Sequence, residues 1–131
     1  IGPFDSPVDA GLTFACDFDT EFTGKAAIWA RKAAGPASRL MSFQLADPTA
    51  LVFGKEPIVC DDKIVGRLTS ASYGWTVGGA IGLGYVARPE GLSVKDLAKR
   101  SYQIRVAGQL IGAEASLQPL HDPSNTNLQR D

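Results

Sequence analysis

Between Arg39 and Leu117 the sequence divides into short β-rich runs separated by turn residues. That spacing restricts this part of the chain to an antiparallel barrel or sandwich. In the first run, Arg39–Leu45, the residues Met41, Phe43 and Leu45 share one face, because side chains alternate along a strand. Pro57–Cys60 and Lys63–Thr69 are joined by Asp61-Asp62, a two-residue hairpin signal that has no glycine to supply the second positive φ. Ala80–Val86 carries glycines at 82 and 84, as expected where another backbone comes close. Ser93-Val94-Lys95-Asp96 resembles a capping box and predicts a short helix ending near Arg100. Tyr102, Ile104 and Val106 form the apolar face of the next run, and a turn at Gly108-Gln109 leads into Leu110–Leu117. The expectation is a mainly β fold with about six strands.

A different pattern precedes these runs. Leu12, Phe14, Cys16 and Phe18 alternate with polar or small residues and predict a strand with one buried face. Thr23 then starts a helix over Gly24–Ala34, stopped by Gly35-Pro36. A strand, a helix and a Gly-Pro stop read as the closing unit of an α+β domain. The opening at Ile1, straight into Gly2-Pro3-Phe4-Asp5-Ser6-Pro7, reads as a piece of a longer protein. From Pro119 the tail is polar and irregular.

Composition narrows the function classes. With 44% hydrophobic and 21% charged residues, the 131-residue chain can bury an ordinary core. Its net charge of −1 argues against a nucleic-acid surface, which needs excess Lys and Arg to displace counterions. The charge is uneven, acidic up to Asp62 and basic from Lys63, which suits protein docking or an anionic ligand tail. Cys16 and Cys60 have neither metal nor redox spacing and are expected as reduced structural thiols of an intracellular protein. No run approaches the length of a membrane span, and no signal peptide is visible.

No stretch assembles a catalytic set. Gly82-Leu83-Gly84-Tyr85-Val86-Ala87 fits the dinucleotide-binding pattern, but its glycines fall inside a strand rather than at a strand-to-helix turn. Ser70–Gly79 is expected as a loop bearing Tyr73 and Trp75, either plugging a barrel corner or presenting flat contact area to a ligand or neighbouring domain. His121 is the only histidine and is expected at the surface. Asp17, Asp19 and Glu21 lack calcium-loop spacing and read as a solvated edge.

Several segments, taken in order, resemble one family. Ser6-Pro7-Val8-Asp9-Ala10-Gly11-Leu12 followed by Phe22-Thr23-Gly24-Lys25-Ala26-Ala27 is similar to the end of the folate-binding domain in glycine-cleavage T-protein (aminomethyltransferase) relatives. Glu56-Pro57, Val65-Gly66-Arg67-Leu68-Thr69-Ser70 and Ile81-Gly82-Leu83-Gly84-Tyr85-Val86 are similar to that family's C-terminal barrel. Pro119-Leu120-His121-Asp122-Pro123 resembles the ending of its sarcosine and dimethylglycine dehydrogenase branch. The resemblance implies the end of a folate-binding domain over residues 1–36, a jelly-roll-like β-barrel over 37–118 and a tail over 119–131. It also implies tetrahydrofolate as cofactor of the intact parent, with FAD in an upstream domain of the dehydrogenase branch. The implied partners are the upstream folate-binding domains and a small substrate, either an N-methyl amine or an aminomethyl group on a lipoyl carrier. No nucleic acid or membrane is implied. The implied compartment is the cytoplasm, or the mitochondrial matrix in a eukaryote. The family's catalytic residues lie upstream of Ile1, so the chain alone is expected to be structural and non-catalytic. One family folate contact, a tyrosine in a Pro-Thr-Asn-Tyr run, aligns with Pro123-Ser124-Asn125-Thr126, which makes Asn125 and Thr126 the candidate cofactor-binding residues. The rival expectation is a scaffold barrel with no folate role.

Overall fold

The computed structural model describes residues 1–127. Two short elements and a longer helix come first: α1 (Pro7–Ala10), a 3-10 turn (Thr13–Ala15) and α2 (Lys25–Ala34). Six strands and one helix follow: β1 (Ser38–Leu45), β2 (Pro57–Cys60), β3 (Lys63–Gly74), β4 (Gly79–Ala87), α3 (Val94–Ala98), β5 (Tyr102–Val106) and β6 (Gln109–Ser116). The strands close into an antiparallel barrel in the order β1-β4-β3-β2-β5-β6. The last four residues of the expected tail, 128–131, lie outside the described residues.

The alternation in β1 places Met41, Phe43 and Leu45 in the interior with Ile58, Leu68, Val86 and Ile104. Phe43 meets Tyr102 edge-to-face at 5.6 Å between ring centres, a favoured geometry for aromatic pairs. α3 closes one end: Leu97 is fully buried, and the Tyr102 hydroxyl donates to its carbonyl oxygen at 2.7 Å. Burial pushes the Tyr102 phenol up to about 12. The Ser93 hydroxyl caps α3 by accepting from the Asp96 N–H, as the capping signal predicts.

The Asp61-Asp62 hairpin forms with both residues left-handed, at φ 50° and 59°. This is the turn geometry that matches strand twist, reached here without glycine. Gly84 fulfils the close-approach reading: a Cβ there would lie 2.6 Å from the Arg67 carbonyl oxygen and 2.7 Å from Ile58.

Three expectations are corrected. The alternating segment Leu12–Phe18 is not a strand but contains the 3-10 turn, with Leu12 and Phe14 exposed. Among the described residues no neighbouring segment pairs with it, and a strand without a ladder partner leaves its backbone groups unsatisfied. The Ser70–Gly79 loop is mostly strand: β3 runs to Gly74 opposite Gly79, so the turn shrinks to Trp75–Gly78. A register shift between Leu68 and Ser70 resets the pairing and lets the hairpin extend. Its aromatics do not plug the core. Tyr73 and Trp75 are exposed and pack on each other at 4.9 Å. The last turn falls on Ala107 and Gly108, both left-handed, so Gln109 belongs to β6.

Among the described residues no helix is long and apolar enough to cross a membrane. Cys16 and Cys60 are both free thiols.

Candidate functional site

The seam on β1 is uneven. β1 pairs with β4 from Ser38 to Gln44, but with β6 only from Ser42 to Leu45. The chain leaves β6 after Ser116, so the first half of β1 has strand neighbours on one side alone. A cleft of about 590 Å³ lies along this open stretch, within the size range of small-molecule sites. Gly11 and Leu12 line it from the N-terminal segment, Arg39 to Met41 from β1, Leu117 from just after β6, and Pro119 and Asn125 from the tail.

Local sequence explains each wall. The Ser6 hydroxyl accepts from the Val8 N–H and Pro7 follows at the first helical position, so α1 starts in the preferred way. Gly11 ends it in the left-handed conformation, φ 80°. A Cβ at Gly11 would also come within 2.6 Å of the Arg39 guanidinium carbon, so the dihedral favours glycine and any side chain there would push Arg39 aside. On the tail side the Asp122 carboxylate accepts from the Thr126 hydroxyl and N–H and from the Asn127 N–H, each at 2.9 Å. Desolvation raises the Asp122 carboxyl, but these bonds and the nearby His121 together outweigh it and hold it below its ordinary value.

Asp9 is the buried charge of the region. Its carboxylate receives the Arg31 guanidinium in a two-pronged contact at 3.0–3.2 Å and the Ala37 and Ser38 N–H groups at 3.0 and 3.4 Å. Bidentate charge-assisted pairs of this kind are the strong and directional ones. Arg39 donates from Nη1 to the Val8 carbonyl oxygen at 3.0 Å, while its buried Nε has no partner. Burial lowers the Arg39 pKa and the nearby Asp9 charge raises it, with a net lowering. The Tyr85 hydroxyl, on the neighbouring strand, is also buried without a hydrogen bond, and burial followed by the Asp5 charge raises its pKa.

The candidate residues separate in space. Asn125, left-handed at φ 55°, lines the cleft. Thr126 spends its hydroxyl on Asp122. His121 is exposed and borders a second cavity of about 370 Å³ on the outer face of β3 and β4. That cavity shares Ser42, Leu83 and Pro119 with the cleft, so the tail passes between the two. The dinucleotide-like glycines stay within β4, as their strand context predicts. Asp17 bonds the Asp19 N–H and Glu21 pairs with Lys25. Among the described residues no group of acidic, histidine and cysteine side chains could hold a metal.

Asp9 belongs to a motif visible in the sequence, whereas its partners and the place of Arg39 in the cleft are not. The Ser-Pro-x-Asp start of a capped helix marks Asp9. Nothing local marks Arg31, 22 residues further on.

The cleft offers a guanidinium, amides and apolar walls, and no carboxylate lines it. The amidine edge of a pterin is a row of donors that calls for such an acceptor, and the nearest buried one, Asp9, is already fully engaged. The residues present therefore do not fit a whole tetrahydrofolate by themselves. They can form one wall of a larger site.

Residues 39–122 match the glycine cleavage T-protein C-terminal barrel domain. The 4-methylaminobutanoate oxidase (formaldehyde-forming) of Paenarthrobacter nicotinovorans is 33% identical over 98% of this chain, and human mitochondrial sarcosine dehydrogenase is 32% identical over 98%. The chain spans only 15% and 14% of the length of these two relatives. A probable aminomethyltransferase of Natronomonas pharaonis is 40% identical over 62% of the chain, which covers 22% of that protein. In fold, the glycine cleavage system aminomethyltransferase T of Bartonella henselae superposes with a TM-score of 0.70 at 19% identity, covering 85% of this chain and 30% of that one. The profile match spans most of the chain and coincides with the closed six-stranded ring, so the chain belongs to the glycine cleavage T-protein C-terminal barrel domain family.

Proposed function

We propose that the chain is the C-terminal barrel of a tetrahydrofolate-dependent one-carbon transfer protein whose parent also carries an FAD-dependent dehydrogenase of the sarcosine or dimethylglycine type. The observation that carries this reading is the reach of the match. The oxidase and sarcosine dehydrogenase relatives align with 98% of the chain, including the segment ahead of the barrel, whereas the Natronomonas aminomethyltransferase aligns with 62%. In this reading residues 1–36 are the end of a preceding folate-binding domain, 37–118 are the barrel and 119–131 are the tail. The upstream domains are its partners, an N-methyl amine is the substrate, and the compartment is the cytoplasm or the mitochondrial matrix. In the plain aminomethyltransferase version, a lipoyl-carried aminomethyl group replaces the amine.

The chain's own contribution is structural. Bound tetrahydrofolate would accept the one-carbon unit, and protein groups would supply position and electrostatics around it. Here Arg39 and Asn125 stand at the edge of the cleft, and the apolar residues between them keep water from that side. Calorimetry on the intact parent is expected to register tetrahydrofolate binding, and the isolated 131-residue chain is expected to register little or none. A parent that takes up no folate would refute the reading.

A second reading keeps the barrel as a scaffold for subunit contacts, since fold alone does not fix function. The exposed Tyr73–Trp75 pair at the β3–β4 tip favours it. A parent with neither a folate-pocket Asp nor an FAD-binding glycine motif upstream of Ile1 would select the scaffold.

A further inference from the structure

We propose that Asp9 is a positioning residue: it clasps the N-terminal segment onto a barrel that holds together without it, so that the cleft is a joint between two parts. The inference rests on the cleft being the functional face, and its test reads the joint rather than folate binding.

The donors on Asp9 come from two different places. Arg31 lies on α2, while Ala37 and Ser38 are the entry into β1. One buried carboxylate therefore fastens α1, α2 and the first barrel strand together. Beside it, α1 buries Val8 and Ala10, Arg39 donates to the Val8 carbonyl oxygen and Arg88 to that of Pro36, but none of these contacts joins all three elements. α1 has four residues, too few to persist as a helix unaided. α2 has no buried residue. Its exposed Trp29 packs within the segment, on Phe18 at 5.1 Å, with the Lys32 ammonium over both rings.

The barrel, in contrast, closes its ring of strands and fills its own interior. The cleft walls depend on the clasp from both sides. Gly11 and Leu12 follow α1 directly, and Arg39 is held to the α1 carbonyl of Val8. Releasing Asp9 frees α1, and with it both the wall and the anchor of Arg39.

Amide exchange of the full chain, read by NMR, tests the joint, and thiol labelling of Cys60 reports on the barrel core, because that side chain, at the end of β2, is buried in it. In Asp9→Ala the Ala37 and Ser38 amides are expected to lose protection by on the order of tenfold or more. Cys60 should meanwhile label within about twofold of the wild-type rate, as local opening leaves the closed core intact. Asp9→Glu, which keeps the charge, is expected to recover a measurable part of the protection. Unchanged protection in Asp9→Ala would overturn the proposal. So would a chain that no longer folds or whose Cys60 labels freely, because the barrel would then depend on the clasp. A glutamate variant no better than the alanine would overturn the carboxylate's role.

Discussion

Residues 12–18 and 39–45 carry the same period-two pattern and meet opposite fates. In β1, Met41, Phe43 and Leu45 face a sealed interior, and the strand's second half lies between two hydrogen-bonded neighbours. In the N-terminal segment Phe14 is 86% exposed and no ladder forms. Alternation tells which face of a strand would be buried. It does not supply the strand that must lie alongside. The barrel thus closes its own ring around a filled interior, and the segment ahead of it is attached through the Asp9 clasp and the buried Val8 and Ala10.

Substitutions can break or sharpen that contrast. The largest effect belongs to the barrel core: Phe43→Ala should cost about 3–5 kcal/mol, read as a lower urea midpoint. A loss below about 1 kcal/mol would mean that the core is not what holds the ring closed.

Next comes the loop between β1 and β2, where the Glu56 carboxylate accepts from the Phe53, Gly54 and Lys55 N–H groups at 2.8–3.0 Å. Burial raises its pKa, but these bonds outweigh burial and the net shift is downward from 4.5. A depressed carboxylate adds stability above its unfolded pKa and loses it as pH falls through the folded one. Stability should therefore drop below about pH 4.5, and Glu56→Gln should flatten that drop while costing about 1–2 kcal/mol at pH 7. An unchanged pH profile in the glutamine variant would show that other carboxylates set it.

A smaller effect of opposite sign is expected at the β2–β3 hairpin. Asp62→Gly removes the cost of a side chain at φ 59° and should stabilise the barrel by about 0.5 kcal/mol in thermal melts. Destabilisation would show that the aspartate contributes something its dihedral does not reveal. Smallest of all, Phe14→Ser in the segment should change stability by less than about 0.5 kcal/mol. A larger loss in the same melts would place Phe14 in a contact that the exposed side chain does not show.

Much of the barrel was legible because its signals are local. The β1 alternation, the Asp61-Asp62 hairpin, the Ser93 cap and the glycines at 82 and 84 act over a few residues. The hairpin tip was misjudged because Ser70, Ala71 and Ser72 look like loop residues, yet β4 pairs with them to the end. The candidate site was legible only in part. Asn125 reaches the cleft, whereas Thr126 turns to Asp122, and no spacing rule distinguishes neighbours in a turn. Arg39 and Asp9 gained meaning only once chain segments far apart were brought together.

By itself the sequence determined the six barrel strands, most of their bounds and the inward face of β1 and β5, because side-chain periodicity and turn chemistry are properties of adjacent residues. Tertiary structure alone decided the strand order, the closure of the ring and the uneven seam on β1 that leaves room for the cleft. It also decided that Leu12–Phe18 would not be a strand. These outcomes depend on which groups become neighbours in space, since backbone hydrogen bonds and buried charges are satisfied by partners and not by patterns.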